Sequence, residues 1–398
     1  MIFSPEFRDR ARKFRKNKRA FRSFTILCIL FAATLPAELL FNDRPIVMCI
    51  DGAWYAPVFK DYTYADLGGG LNVPVSAYGS TMFNAFLAGK TPVVQTAAMY
   101  GGATVADDAQ PLELLNYEQG PPRKVWMLWP PIPHSYKSSP RSETLVNQRL
   151  ASPVASTRDG KRIPGAATAR HLLGTDQFGK DVLARLVYGF RLSLVFGLAL
   201  AITSTILGSI IGGIQGYFGG AVDLLGQRGT EIWGAIPQLM LMMILSDFLS
   251  RQANLTESAH LLMLFVIMNL TSWMGMAAHM RAQFLRARNL DYVRAAKSLG
   301  VSNPMIMFRH ILPNSLTPII TFLPFSISGA IMALVGLDFL GFGLKYPAPS
   351  LGDLLSQGQQ HMEAWWIMIP AFVTLTTLMI LLTFIGDGVR NAFDPRYK

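Results

Sequence analysis

Residues Ala364–Gly386 read AWWIMIPAFVTLTTLMILLTFIG, 23 residues without a charge between Glu363 and Asp387. A helix needs about 20 apolar residues to cross the hydrocarbon of a bilayer, so this run predicts a membrane span. Leu192–Val222 and Ile311–Leu337 are also free of charge, and Ser258–Met280 is broken only by His260 and His279. Phe24–Phe41 is long enough but carries Pro36 and Glu38, while Leu224–Ser246 carries Arg228 and Glu231 and is clean only from Ile232. Six spans are therefore expected. Only 15% of the 398 residues are charged and 51% are hydrophobic, with a mean hydropathy of +0.30, which excludes an ordinary soluble protein. The expected fold class is an all-α polytopic membrane protein, with a large loop-rich extracytoplasmic insertion between the first and second spans.

The net charge of +11 invites a nucleic-acid reading, and the placement of the charges argues against one. With the N-terminus inside, the short inner segments hold nineteen Lys and Arg, whereas the short outer loops Asp247–Glu257 and Asp338–Glu363 hold only Arg251 and Lys345. This is the positive-inside bias, and it puts both termini in the cytoplasm. The fifteen basic residues of the long stretch Asn42–Arg191 carry little topological weight, because loops of that length are translocated regardless of charge. Cys28 and Cys49 form no C-x-x-C, metal spacing or disulfide framework. The basic start followed by an apolar run has the outline of a secretory signal; the length of the basic region and the five later spans favour an uncleaved anchor.

The expected divisions are a basic cytoplasmic arm over 1–22 beside lipid headgroups, a first span over 23–41, an insertion over 42–188, a five-helix core over 189–386 and a cytoplasmic end over 387–398. Within the insertion Pro92–Thr96 looks strand-like, while Gly68-Gly69-Gly70 and Pro121-Pro122 break structure. Val125–Tyr136, VWMLWPPIPHSY, is stiff and extended by composition. It reads either as a docking surface for a delivery protein or as an aromatic anchor at the water–lipid boundary. From Leu192 onward the chain is helical membrane core.

Between two spans on the expected inner side lies Asp291–Asn314, DYVRAAKSLGVSNPMIMFRHILPN. Tyr292–Leu299 predicts a short helix with small residues at Ala295 and Ala296. Gly300 suits the left-handed position just past its end. Asn303-Pro304 restarts a helix as cap and first residue, and Pro313 ends it before the next span. The sum is a rigid helix–turn–helix elbow. This pattern resembles the "EAA" coupling loop of ABC importer permeases: two alanines, a glycine four positions after the second, then Leu-Pro twelve and thirteen residues beyond. Ala295-Ala296, Gly300 and Leu312-Pro313 fill those places. Arg294 stands where that pattern carries Glu, so no specific ion pair is carried over there.

Further segments resemble the oligopeptide/dipeptide/nickel permeases. They are Leu173–Asp176 with Gly179-Lys180-Asp181 and Tyr188-Gly189, then Gly341-Phe342-Gly343 through Pro347-Ala348-Pro349-Ser350, which is similar to a re-entrant stretch, and last Gly386-Asp387-Gly388-Val389-Arg390 to Asp394-Pro395-Arg396. From the residues alone, Gly174 and Gly179 allow turns and Asp176 or Asp181 can cap Val182–Tyr188. The long insertion is similar to that of the YejE-type permeases of peptide and microcin C uptake. The resemblance implies a permease subunit that pairs with a homologous permease, two ATP-binding cassette ATPase subunits and an extracytoplasmic substrate-binding protein. Its coupling loop would cover 288–313, with Tyr292, Arg294, Ala295, Ala296, Gly300, His310, Leu312 and Pro313 touching the ATPase. It would carry no cofactor of its own, ATP being bound by the partner subunits, and its cargo would be peptides or peptide-like compounds, or alternatively nickel chelates or glutathione.

Other residues have plainer readings. Arg228 and Glu231 form an ion pair near a helix end or belong to a gate; His279 and His310 cap or meet headgroups rather than bind metal. The methionines at 240, 242, 243, 263, 268, 274 and 276 supply adaptable packing or line a peptide path. No G-x-S-x-G, H-E-x-x-H or G-x-x-x-x-G-K-[ST] occurs, which sets aside those hydrolases and an ATPase of its own. A channel would need a pore ring or filter repeat, and neither is present; a passive scaffold would leave the elbow idle.

Overall fold

The computed structural model describes residues 5–69, 74–75, 78, 81–92, 117–119, 121–137, 149–153, 171–250 and 256–393. Residues 93–96, Gly70, Arg251 and Asp394–Arg396, singled out above, lie outside them. The chain forms two compact units, one of residues 33–188 with 361–367, the other of 1–32, 189–360 and 368–398.

The first unit holds α3 (Ala37–Leu40), β1 (Val47–Ile50), β2 (Ala53–Tyr55), α4 (Thr81–Leu87), β3 (Lys90–Pro92), β4 (Tyr117–Gln119) and β5 (Val125–Leu128). An antiparallel sheet of order β2-β1-β5 pairs Cys49 with both Trp54 and Trp126. Side chains alternate across a sheet, so Met48 and Ile50 point the other way, into a core with Tyr64, Phe83, Phe86 and Trp129. The described part of the insertion thus carries short strands around a core, where the sequence reading expected loops and an all-α chain. The two tryptophans of the Trp-Pro segment part company: Trp126 is 53% exposed and Trp129 is buried, so only the first is available to any outside surface.

The segment entering the first long helix of the second unit is held by buried charges within the first. Gly174 and Gly179 have φ of 70° and 77°, as the turn reading required. Asp181 accepts from the Ala184 amide at 2.7 Å and caps that helix. Its other oxygen meets His171 Nδ1 at 2.7 Å, while Asp176 accepts from the Lys180 amide at 2.7 Å and from Arg185.

The second unit contains α1 (Pro5–Lys16), most of α2 (Lys18–Thr34), most of α5 (Val182–Phe218), α6 (Gly220–Gly234), α7 (Gln238–Ser250), α8 (Glu257–Ser272), α9 (Met274–Ala287), α10 (Asp291–Ser298), α11 (Asn303–Met305), α12 (Leu316–Phe339), α13 (Leu351–Gln360) and most of α14 (Trp365–Phe393). Three helices are long and apolar enough to cross a membrane: Val182–Phe218, the continuous stretch Asn303–Phe339, and Trp365–Phe393. α8 and α9 make a fourth if taken together across a 41° bend. The third expected span is divided at Ala235–Pro237 into α6 and α7, as a proline that cannot donate its amide dictates. The first expected span is likewise cut at Leu35-Pro36.

Packing in the second unit relies on glycine. A Cβ on Gly388 would collide with Ala20 and lie 3.0 Å from the Phe14 ring, and Arg10 sits 4.8 Å over the Phe393 ring. The basic arm therefore rests on the end of α14 through the second glycine of Gly386-Asp387-Gly388.

Candidate functional site

The elbow is built from its turn outward. Gly300 has φ of 78°, a region that costs an L-residue about 1–2 kcal/mol. Around it the Val301 amide reaches Ala296 O at 3.1 Å and the Gly300 amide reaches Lys297 O at 3.1 Å, which is the Schellman closure. Those two bonds satisfy the last carbonyls of α10 and fix the exit direction of the chain.

α10 has two unlike faces. Val293 and Ala296 are buried in one cluster with Met280 and Phe284 of α9 and with Ile306 and Ile311 beyond the turn. Each such fully buried aliphatic side chain stabilises by about 1.5–3 kcal/mol, so the short helix is held by packing rather than by its eight residues alone. On the opposite side Tyr292, Arg294, Ala295, Lys297 and Leu299 are exposed, Leu299 at 82%. Tyr292, Ala295 and Leu299 follow helical spacing and form one stripe. The two alanines, read from the sequence as a single small-residue face, are therefore divided: Ala296 faces inward and Ala295 outward.

The second arm departs from the sequence reading in two respects. Ser302, with φ −63° and ψ 146°, holds the cap position of α11, and Asn303 lies inside the helix. Asn303 Oδ1 instead accepts from the Tyr217 hydroxyl at 2.8 Å, tying the arm to the end of α5. Nor does Pro313 end a helix. The chain widens to a π-helix over Ile306–Ile311, tightens to a 3-10 turn over Leu312–Ser315 and runs on into α12. A proline with no amide to give forces such a change of winding instead of a stop where both ends are packed. The Asn314 side chain donates to His310 O at 3.0 Å. His310 and Leu312 are half-buried in this rewound stretch.

Two polar anchors of the second unit, one in α6 and one at the far end of α12, had little legible signal. Asp223 in α6 accepts both Arg281 Nη2, at 2.7 Å, and Arg281 Nε of α9. Asp338, at the end of α12, is buried and accepts from the Leu344 amide at 2.6 Å and from the Ser350 hydroxyl, anchoring the loop through Gly341–Ser350. A lone acid closing an apolar run was the only sequence hint. Arg228 and Glu231 do form an ion pair, 2.6 Å apart and largely exposed, of a kind worth little. His279 stacks on the Phe322 ring with centroids 4.4 Å apart. No group of three or more His, Cys, Asp or Glu able to hold a metal occurs among the described residues.

Residues 193–398, which include the whole elbow, match the family model for the binding-protein-dependent transport system inner membrane component. The chain belongs to that family. It is 39% identical to the peptidoglycan transport system permease protein YejE of Agrobacterium fabrum, over 99% of this chain and 94% of the relative. The inner membrane ABC transporter permease protein YejE of Escherichia coli is 38% identical, with 98% of each chain covered. The dipeptide transport system permease protein DppC of Haemophilus influenzae is 37% identical over 57% of this chain and 75% of its own. The protein is thus a multi-pass inner-membrane ABC permease, a transport component and not an enzyme.

Proposed function

We propose that this permease imports peptides or peptide-like compounds, driven by two ATPase subunits that grip the elbow. The observation that carries the reading is the split character of α10: a packed underside and an exposed upper stripe of Tyr292, Ala295 and Leu299. A lever needs both, one face to receive a push and one to pass it to the bundle. Arg294 and Lys297 beside the stripe suit an acidic rim on the partner, a polarity opposite to a glutamate at that place.

In this reading the chain crosses the membrane six times. The divided pairs α2–α3 and α6–α7 each make one passage, because broken helices are tolerated where neighbours satisfy the freed backbone groups. The positive-inside bias puts the termini and the elbow in the cytoplasm and the insertion of 42–188 outside, where it receives a substrate-binding protein. A homologous permease completes the pathway. Relatives named for peptidoglycan, dipeptide and oligopeptide transport point to a cargo with a peptide backbone; microcin C is a narrower case of that class.

The test is uptake of a labelled peptide library by the reconstituted complex with its binding protein. ATP-dependent accumulation of peptides, identified by mass spectrometry, is expected. Accumulation of nickel chelates or glutathione in their place would overturn the cargo. Removing Asn42–Gly165 is expected to leave ATPase association intact and to impair delivery; loss of association would mean that the insertion is part of the bundle.

A further inference from the structure

Within the second unit an apolar cleft of about 250 Å³ opens between the end of α5 and the second arm of the elbow. Its walls include Ile210, Ile214 and Phe218 of α5, Phe284 of α9, and Met307 and Phe308 of the arm. From Ser209 to Phe218 it follows α5 for about 13 Å, so it is a slot running along the helix. Ile206, Ile210, Ile214 and Phe218 are each at least 40% exposed on a helix apolar enough to span the bilayer, so with α5 in the membrane this side of the slot is open to hydrocarbon. Gly213 keeps its floor low, since a Cβ there would already stand 3.3 Å from the Phe284 ring.

One end of the slot is charged. Arg288 lies against Gly219, next in the chain to Phe218, and one helical turn past Phe284, so both placements set it at the same mouth. It is half-buried. The carboxylate whose charge reaches it, Asp223, is already held by both arms of Arg281. An apolar slot capped by a guanidinium that makes no hydrogen bond or ion pair among the described residues is complementary to a chain of methylenes ending in an anion.

We propose that the slot is a binding site for an anionic phospholipid, with one acyl chain along α5 and the phosphate on Arg288. Because Pro304, Met307 and Phe308 belong to the arm that follows the Gly300 turn, any shift of the arm changes the width of the slot, and lipid occupancy biases the arm's position. The inference needs α5 to lie in the membrane and does not depend on the coupling role of α10.

The experiment uses the whole complex in nanodiscs, with phosphatidylglycerol carrying a photoactivatable group midway along one chain and phosphatidylcholine labelled in the same way. Labelling of residues 210–218 and 304–308 by phosphatidylglycerol is expected. Arg288→Gln should lower it about 10-fold, the worth of a charge-assisted hydrogen bond, while Arg288→Lys retains most of it. Ile214→Trp, which fills the slot, should abolish labelling by both lipids. Equal labelling by the two lipids with no response to Arg288→Gln would overturn the phosphate assignment. Absence of label together with a cross-link from cysteine at 214 to the second permease would show that a protein helix covers the slot and would overturn the site.

Discussion

Replacing Gly300 with valine tests the lever at its turning point. Apart from its chain neighbours, no atom lies within 4 Å of where a Cβ would stand, so the effect comes chiefly from the strain of the turn itself and not from a clash with the rest of the fold. At φ 78° an L-residue loses about 1–2 kcal/mol, and a β-branched side chain sits at the upper end because its χ1 freedom is already restricted. A loss of that size lowers the population of the closed turn about 5–30-fold and opens the Val301–Ala296 and Gly300–Lys297 bonds. Asparagine tolerates the left-handed region and serves as its control. Proteoliposomes holding the complex would be assayed for peptide uptake and for cargo-stimulated ATP hydrolysis, with insertion checked separately. The expected order is glycine and asparagine together, then alanine, then valine, with valine inserted but uncoupled. A valine variant that couples as well as the parent, or an asparagine variant as poor as valine, would refute the reasoning.

Three other outcomes follow from the packing. Asp338→Ala leaves the Leu344 amide and the Ser350 hydroxyl without their acceptor, and thermal unfolding should report a loss of about 1–3 kcal/mol, with Ser350→Ala losing less. Gly388→Leu forces a side chain onto Ala20 and Phe14; overpacking of this kind costs about 1–3 kcal/mol, and protease access to the basic arm should rise. Asp223→Arg and Arg281→Asp should each destabilise, while the exchange of both restores stability. A double exchange as unstable as either single change would refute the pairing.

The membrane core was legible because apolar length is a direct demand of the bilayer: Val182–Phe218, Asn303–Phe339 and Trp365–Phe393 sit on three of the charge-free runs. The left-handed turn at Gly300 was legible for a similar reason, since few residues suit that conformation. Long-range facts were not. Ser302 and Asn303 suit the cap equally by type, and the bond that ties Asn303 elsewhere comes from Tyr217, 86 positions away. Pro313 signals a break, but packing at Ile306 and Ile311 converts it into a change of winding. The insertion looked like loops because its core draws on Met48, Tyr64, Phe86 and Trp129, none of which shares a periodic run with the others.

The most direct measurement joins the exposed stripe of α10 to its motor. With cysteine at Ala295, and cysteines placed along the acidic rim of the ATPase subunit, disulfide formation in the purified complex would be followed with and without ATP. The account predicts a rapid cross-link from position 295 whose rate changes with nucleotide, and none from cysteine at the buried Val293. Cross-linking from neither position, or labelling of position 295 by an impermeant thiol reagent added outside intact cells, would contradict it.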